Sequence, residues 1–125
     1  MSWEAPGFKP PALTASADLS AKQYTAVKAS GVNTVTSVAA ATDAVLGVLQ
    51  NKPTSGQEAE ITHTGVTKML AGAAVTAGAE VMCDTSGRAI TAVTTGNRIL
   101  GIALETAANA NEVIAVLLYS GAPKV

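Results

Sequence analysis

From residue 21 onward the chain is a succession of short runs dense in Val, Thr and Ala, separated by turn formers, and the runs favour a period of two over the helical period. In EAEITHT (58–64), Glu58, Glu60, Thr62 and Thr64 fall on one face and Ala59, Ile61 and His63 on the other. That is a strand with one wet and one buried side. EVIAVLLY (112–119) is apolar in both phases, so this strand is expected to be covered on both sides. Residues 53–56, Gly65, Gly72, Gly78, Gly87 and Gly96 fall between runs, where turns are needed. The pattern predicts strands at 22–29, 32–38, 45–50, 58–64, 66–71, 79–83, 88–93, 98–105 and 112–119. Helix is the minority option for the Ala-rich stretches 37–46 and 105–111. The expected fold is all-β: a single small β-barrel or sandwich of about eight or nine short strands, occupying residues 18–125.

One apolar phrase is written twice, as VLGVLQ (45–50) and ILGIAL (99–104), an offset of 54 positions. The same offset brings Val27 onto Val81 and Glu58 onto Glu112, and with a one-residue gap VTSV (35–38) meets ITAV (90–93). Two copies are too few for a solenoid, so an internal pseudo-repeat of two related halves is expected. In that frame Gly47 and Gly101 mark a close approach of backbones, or a bend where a barrel closes.

The first 17 residues differ from all that follows. Pro6, Gly7, Pro10 and Pro11 oppose helix and ladder alike, which predicts an extended arm. Trp3 is the only Trp and Phe8 the only Phe, and both lie in this arm. Rings on such a segment suit partner anchoring, because one ring buries much area for little rotamer entropy. The candidate binding residues are therefore Trp3, Phe8, Pro6, Pro10 and Pro11. The competing reading folds the two rings back onto their own barrel.

Composition shifts the balance toward association. Apolar residues reach 48% but aromatics only 3%, and about a fifth of the chain is Ala. Such a core is thin at roughly 0.8 kcal/mol per buried methylene, so burial against further copies or a partner is useful. Charged residues are 14% and the net charge is -1, without a basic run that could track phosphates. No nucleic-acid partner is expected. Neither a signal peptide nor a run long enough to span a membrane is visible, so a cytoplasmic site of synthesis and no membrane partner are expected.

Catalytic signatures are scarce. Cys83 is the single cysteine and His63 the single histidine, which removes disulfides, multi-His metal sites and most triads. Cys83 reads as a small buried hydrophobe and His63, on the apolar phase of its strand, as a hydrogen-bonded core residue. No acid/base pair stands out among the carboxylates, and no metal, cofactor or enzymatic activity is expected. Two alternatives remain. GVTKMLAGAAVTAGAEV (65–81) resembles biotinyl and lipoyl carrier domains, with Lys68 as the candidate for modification, although Lys68 follows Thr67 inside a predicted strand. A β-rich adhesion module is the other, but the loops are short and built from Ala, Thr, Gly and Asn.

The order of phrases DLSAKQYTAVK (18–28), VLGVLQNKPTSGQEAEITHTGVTKMLAG (45–72), AGAEVMCDTSGRA (77–89), ILGIALETA (99–107) and VIAVLLY (113–119) resembles the capsid cement, or decoration, proteins of tailed bacteriophages. The resemblance covers roughly residues 18–120. It implies a small β-barrel, often trimeric, on the outer capsid surface of the virion, clamping neighbouring major capsid proteins together. Residues 1–17 lie outside it, so the resemblance assigns no role to Trp3 or Phe8.

Overall fold

The structure, a computed structural model, describes residues 7–8 and 13–119. Among them are twelve strands and no helix: β1 (Gly7–Phe8), β2 (Leu13–Ala15), β3 (Ala26–Gly31), β4 (Thr34–Ser37), β5 (Gly47–Leu49), β6 (Glu58–Ala59), β7 (Ile61–Thr62), β8 (Thr64–Leu70), β9 (Glu80–Cys83), β10 (Ala89–Thr91), β11 (Gly101–Ala103) and β12 (Val113–Leu118). Each expected run forms strand. The number rises because the run at 58–64 is interrupted at Glu60 and again at His63, and because two short strands precede residue 18. Beyond Ser37, the Ala-rich stretches 37–46 and 105–111 run as turns, bends and irregular chain, their polar ends tied by side chains. Asp43 Oδ2 accepts the N–H groups of Ala39 and Ala40 at 2.8 and 3.0 Å, and Glu112 Oε1 accepts that of Ala108 at 3.0 Å.

The strands form two six-stranded sheets, ordered β6-β2-β4-β3-β5-β7 and β1-β8-β12-β11-β9-β10. Both curl back on themselves. In the first, the end strands β6 and β7 are one piece of chain broken at Glu60, so chain continuity joins the two edges. In the second, Ala71 just beyond β8 makes a parallel bridge to Ala89 in β10, where the Gly72 N–H reaches the Ala89 carbonyl at 2.7 Å. Curling suits strands this short, because an open edge would leave N–H and C=O groups to water.

The repeat is visible in the hydrogen bonds. Tyr24 N–H donates to the Leu49 carbonyl at 2.7 Å, and 54 positions on Gly78 donates to Ala103 at 2.7 Å. Leu46 to Val27 and Leu100 to Val81, both 2.8 Å, are another such pair. The parallel closure recurs too: β2 pairs parallel with β4, and Ser16 N–H donates to Val35 at 2.9 Å as Gly72 does to Ala89. Left-handed backbone falls at matching places, at Tyr24 (φ 66) and Gly78 (φ 92), and at Asn33 (φ 56) and Gly87 (φ 81). One expected match moves by a residue. Ala15 N–H donates to Gln57 at 2.9 Å and Ala71 N–H to Glu112 at 2.8 Å, so Gln57, not Glu58, is the counterpart of Glu112. Glu58 then corresponds to Val113.

Each half has an apolar cluster inside its own curl, and the second cluster also draws on the first half. Val27, Val35, Leu49, Ala59 and Ile61 fill the first. Met69, Val81, Ile114, Val116 and Leu118 fill the second, and Ala26, Val38 and Val48 of the first half join that second cluster. The doubled glycines sit where backbones touch. A methyl on Gly47 would strike the Thr62 carbonyl oxygen, and one on Gly101 would strike that of Leu117.

Candidate interaction surfaces

Among the described residues the arm enters the fold at two places. Gly7 and Phe8, between the prolines, form β1 and pair antiparallel with Gly65 and Thr64 at the outer edge of β8. The expectation that this stretch avoids ladders is corrected here, since a strand of two residues fits between Pro6 and Pro10. Leu13–Ala15, next along, form β2 between β4 and β6, with Ala15 1% exposed. Trp3, Pro6, Pro10 and Pro11 lie outside the described residues.

The chemically reactive side chains do not converge on a site. Cys83 is buried in the second core, and burial, reinforced by the charge of Asp84, raises its thiol pKa to about 11. A thiol so protonated is a poor nucleophile. His63 is exposed rather than in the core, a correction with a local cause. Strand β7 ends at Thr62, the chain crosses from one sheet to the other at His63, and the alternation lapses there. Its Nδ1 lies 2.8 Å from the Leu46 carbonyl. The described residues contain no group of three or more His, Cys, Asp or Glu able to hold a metal. Lys68 projects from the middle of β8 opposite Ala115, away from any hairpin tip. A cavity of about 110 Å³ between the halves is lined by residues from both copies of the doubled phrase, together with His63, Arg98 and Tyr119.

What the surface does offer is apolar. In β12 one phase, Ile114, Val116 and Leu118, is buried, while Val113 and Leu117 in the other are 46% and 36% exposed. The two-sided cover expected for this strand is therefore one-sided among the described residues. Leu117 stands opposite Val66 of β8 and Ile102 of β11, and Val113 opposite Leu70. Cross-strand partners share a face, so these side chains form one outer patch with Leu104, 47% exposed, at its margin. Contiguous apolar patches on a protein surface mark interaction sites more often than single exposed residues do.

A family model described as phage cement protein matches residues 12–118. No curated protein matches the sequence. Among solved structures, the chain is similar to the N base of the head fibre gp8.5 of bacteriophage phi29, at 14% identity and a TM-score of 0.67, over 91% of this chain and 96% of that one. At that identity the likeness speaks to the fold alone, and the fold is shared over nearly the whole of both chains.

Proposed function

The chain belongs to the phage cement protein family and so has a structural role at the phage capsid; on that premise we propose that it binds the outer surface of an assembled capsid and bridges neighbouring major capsid proteins. The observation that carries the reading is the family match along nearly all of the folded region. A binder of this kind stabilises by mass action, because it engages the assembled lattice and not the separated subunits. At a free concentration of about 100 times Kd the gain is about 2.7 kcal/mol per site. Copies joined as a homotrimer engage several sites at once, and the second and third contacts become intramolecular.

Within this reading the arm is the anchor. Trp3 and Phe8 bury against the shell, and Pro6, Pro10 and Pro11 limit the arm to extended conformations, which lowers the entropy lost on docking. Gly7–Phe8 take strand geometry on the edge of their own chain's β8, so the rest of the arm leaves the fold from a fixed place. Lys68, inside a strand, gives the carrier reading no comparable support.

The test is to mix the protein with purified capsids that lack it, then measure pelleting and the capsid melting temperature. Co-sedimentation and a raised Tm are expected; a protein that stays in the supernatant and leaves Tm unchanged refutes the function. A chain lacking residues 1–11 retains β2 and is expected to fold, with binding lost. Undiminished binding by that truncated chain removes the role assigned to Trp3 and Phe8.

A further inference from the structure

Because the halves share strand order and hydrogen-bond register, each outward residue of the second half has a counterpart in the first whose surroundings are visible. On β5, Gly47 and Leu49 point into the first curl and Val48 points out, yet Val48 is fully buried. It packs with Ala26 and Val38 against the second half. Beside it Gln50 Nε2 donates to Thr67 Oγ1 at 2.7 Å, and Ala26 N–H donates to the Gly87 carbonyl at 2.8 Å. The outward side of β3 and β5 is thus the face by which one half docks on another.

The same face recurs on the second half. Ile102 stands at the place of Val48, Leu104 at that of Gln50 and Glu80 at that of Ala26, and the pairing of Ile102 with Glu80 repeats that of Val48 with Ala26. Among the described residues nothing packs over it, and Leu104, Val113 and Leu117 stay exposed. The changes in the neighbouring strand run one way: Glu58, Glu60 and Thr62 of the first half correspond to Val113, Ala115 and Leu117 of the second. Polar side chains in one copy, exposed at Glu58 and Glu60 and buried at Thr62, are apolar in the other, on the side continuous with the docking face.

We propose that this face, built on Ile102, Leu104, Val113 and Leu117, is where a second copy of the chain seats. The occupant is identified by the internal contact: the equivalent face of the first half carries a half of this same fold. The exchange of Gln50 for Leu104 replaces a hydrogen bond made inside one chain with apolar contact suited to a partner. The proposal rests on the self-association proposed above, but not on capsid binding.

The experiment measures oligomeric state by sedimentation velocity and equilibrium, for the full chain and for Leu104→Lys and Leu117→Lys, with Glu60→Lys in the first half as control. All three positions are at the surface, and Leu104→Gln, which installs the residue of the first half, is the mild companion if a lysine disturbs folding. Wild type and Glu60→Lys are expected to associate, and each lysine on the face to weaken association by about tenfold or more. Lysine variants that associate like wild type overturn the surface assignment while leaving self-association intact. A monomeric wild type at every concentration overturns both. Variants with normal self-association that no longer pellet with capsids assign the face to the shell, which also overturns the proposal.

Discussion

Replacing Gly101 with Ala is expected to be strongly destabilising, since among the glycines described its added methyl meets the nearest backbone atom. The added Cβ meets the Leu117 carbonyl oxygen, and it lies 2.8 Å from the Leu117 carbonyl carbon and 3.0 Å from the Leu118 Cα. All three are backbone atoms, so no side chain can swing aside. Relief requires β11 and β12 to part where Gly101 pairs with Leu118, at the centre of the second sheet. Overpacking commonly costs about 1–3 kcal/mol, and a rigid obstacle puts this case at the upper end or beyond. Ala in place of Gly recovers only about 0.5–1 kcal/mol of backbone entropy. A net loss of about 3 kcal/mol lowers the melting temperature by roughly 10–15 °C in a chain of this size. Gly78 is the control, with φ +92 but open space where a Cβ would sit. Gly78→Ala is expected to cost only the left-handed strain of about 1–2 kcal/mol, and Tyr24 at the matching place shows that a side chain is accommodated there. Thermal unfolding followed by circular dichroism compares the two. A Gly101→Ala protein that melts within about 3 °C of wild type, or above Gly78→Ala, refutes the close-approach argument.

Three further outcomes are expected. The Cys83 thiol, held protonated by burial, does not react with an aromatic disulfide reagent near pH 8 until denaturant is added; fast labelling of the native protein contradicts the buried assignment. Because its pKa rises from 9.0 to about 11 on folding, the native state holds a proton that the unfolded chain releases, so the melting temperature falls as pH climbs through that interval, and Cys83→Ala flattens the decline. The Asp43 carboxyl is held below its ordinary 3.8 by the Ala39 N–H, the Lys28 ammonium and the Ala40 N–H. Its contribution is therefore present above that value and lost as pH falls through the lower folded one. Asp43→Ala is expected to lower stability at neutral pH, through loss of the hydrogen bonds it accepts, and to narrow its difference from wild type in acid, as a pH series of urea melts will show.

The expected strands are found because period-two runs bounded by Gly and Pro leave little else for the chain to form, and 45–50 and 98–105 show it well. The repeat was legible for a related reason, since Gly47 and Gly101 occupy places where only Gly fits and so retain their identity. What the sequence concealed lies in backbone pairing. The one-residue shift that matches Gln57 with Glu112 depends on carbonyls accepting from Ala15 and Ala71, which no side-chain pattern records. The strand at Gly7–Phe8 was hidden by its flanking prolines, and Leu13–Ala15 by its shortness. His63 misled because alternation was extended one residue past the end of β7, into the crossover between sheets. The apolar double face of EVIAVLLY was legible as a strand covered on both sides, but the sequence alone could not say that one face stays uncovered among the described residues.

The halves have diverged least where the fold depends on them and most where they meet different neighbours. Lys28 and Asp43 form an ion pair at 3.1 Å in the first half; 54 positions on stand Met82 and Asn97, with Asn97 Nδ2 lying 3.7 Å from Met82 Sδ. The turns that carry Asp43 and Asn97 nevertheless close alike, with Asp43 N–H donating to Ala40 at 3.1 Å and Asn97 N–H to Thr94 at 3.2 Å. Backbone geometry is thus held while the side-chain chemistry changes, from a half-exposed ion pair to a buried contact. The same holds between β7 and β12, where inward Ile61 corresponds to inward Val116 and outward Thr62 to outward Leu117. Selection on folding alone would let outward positions drift toward polarity in both halves. A directional change to Val113, Ala115 and Leu117 on one of two equivalent strands instead points to a different, apolar contact for that half.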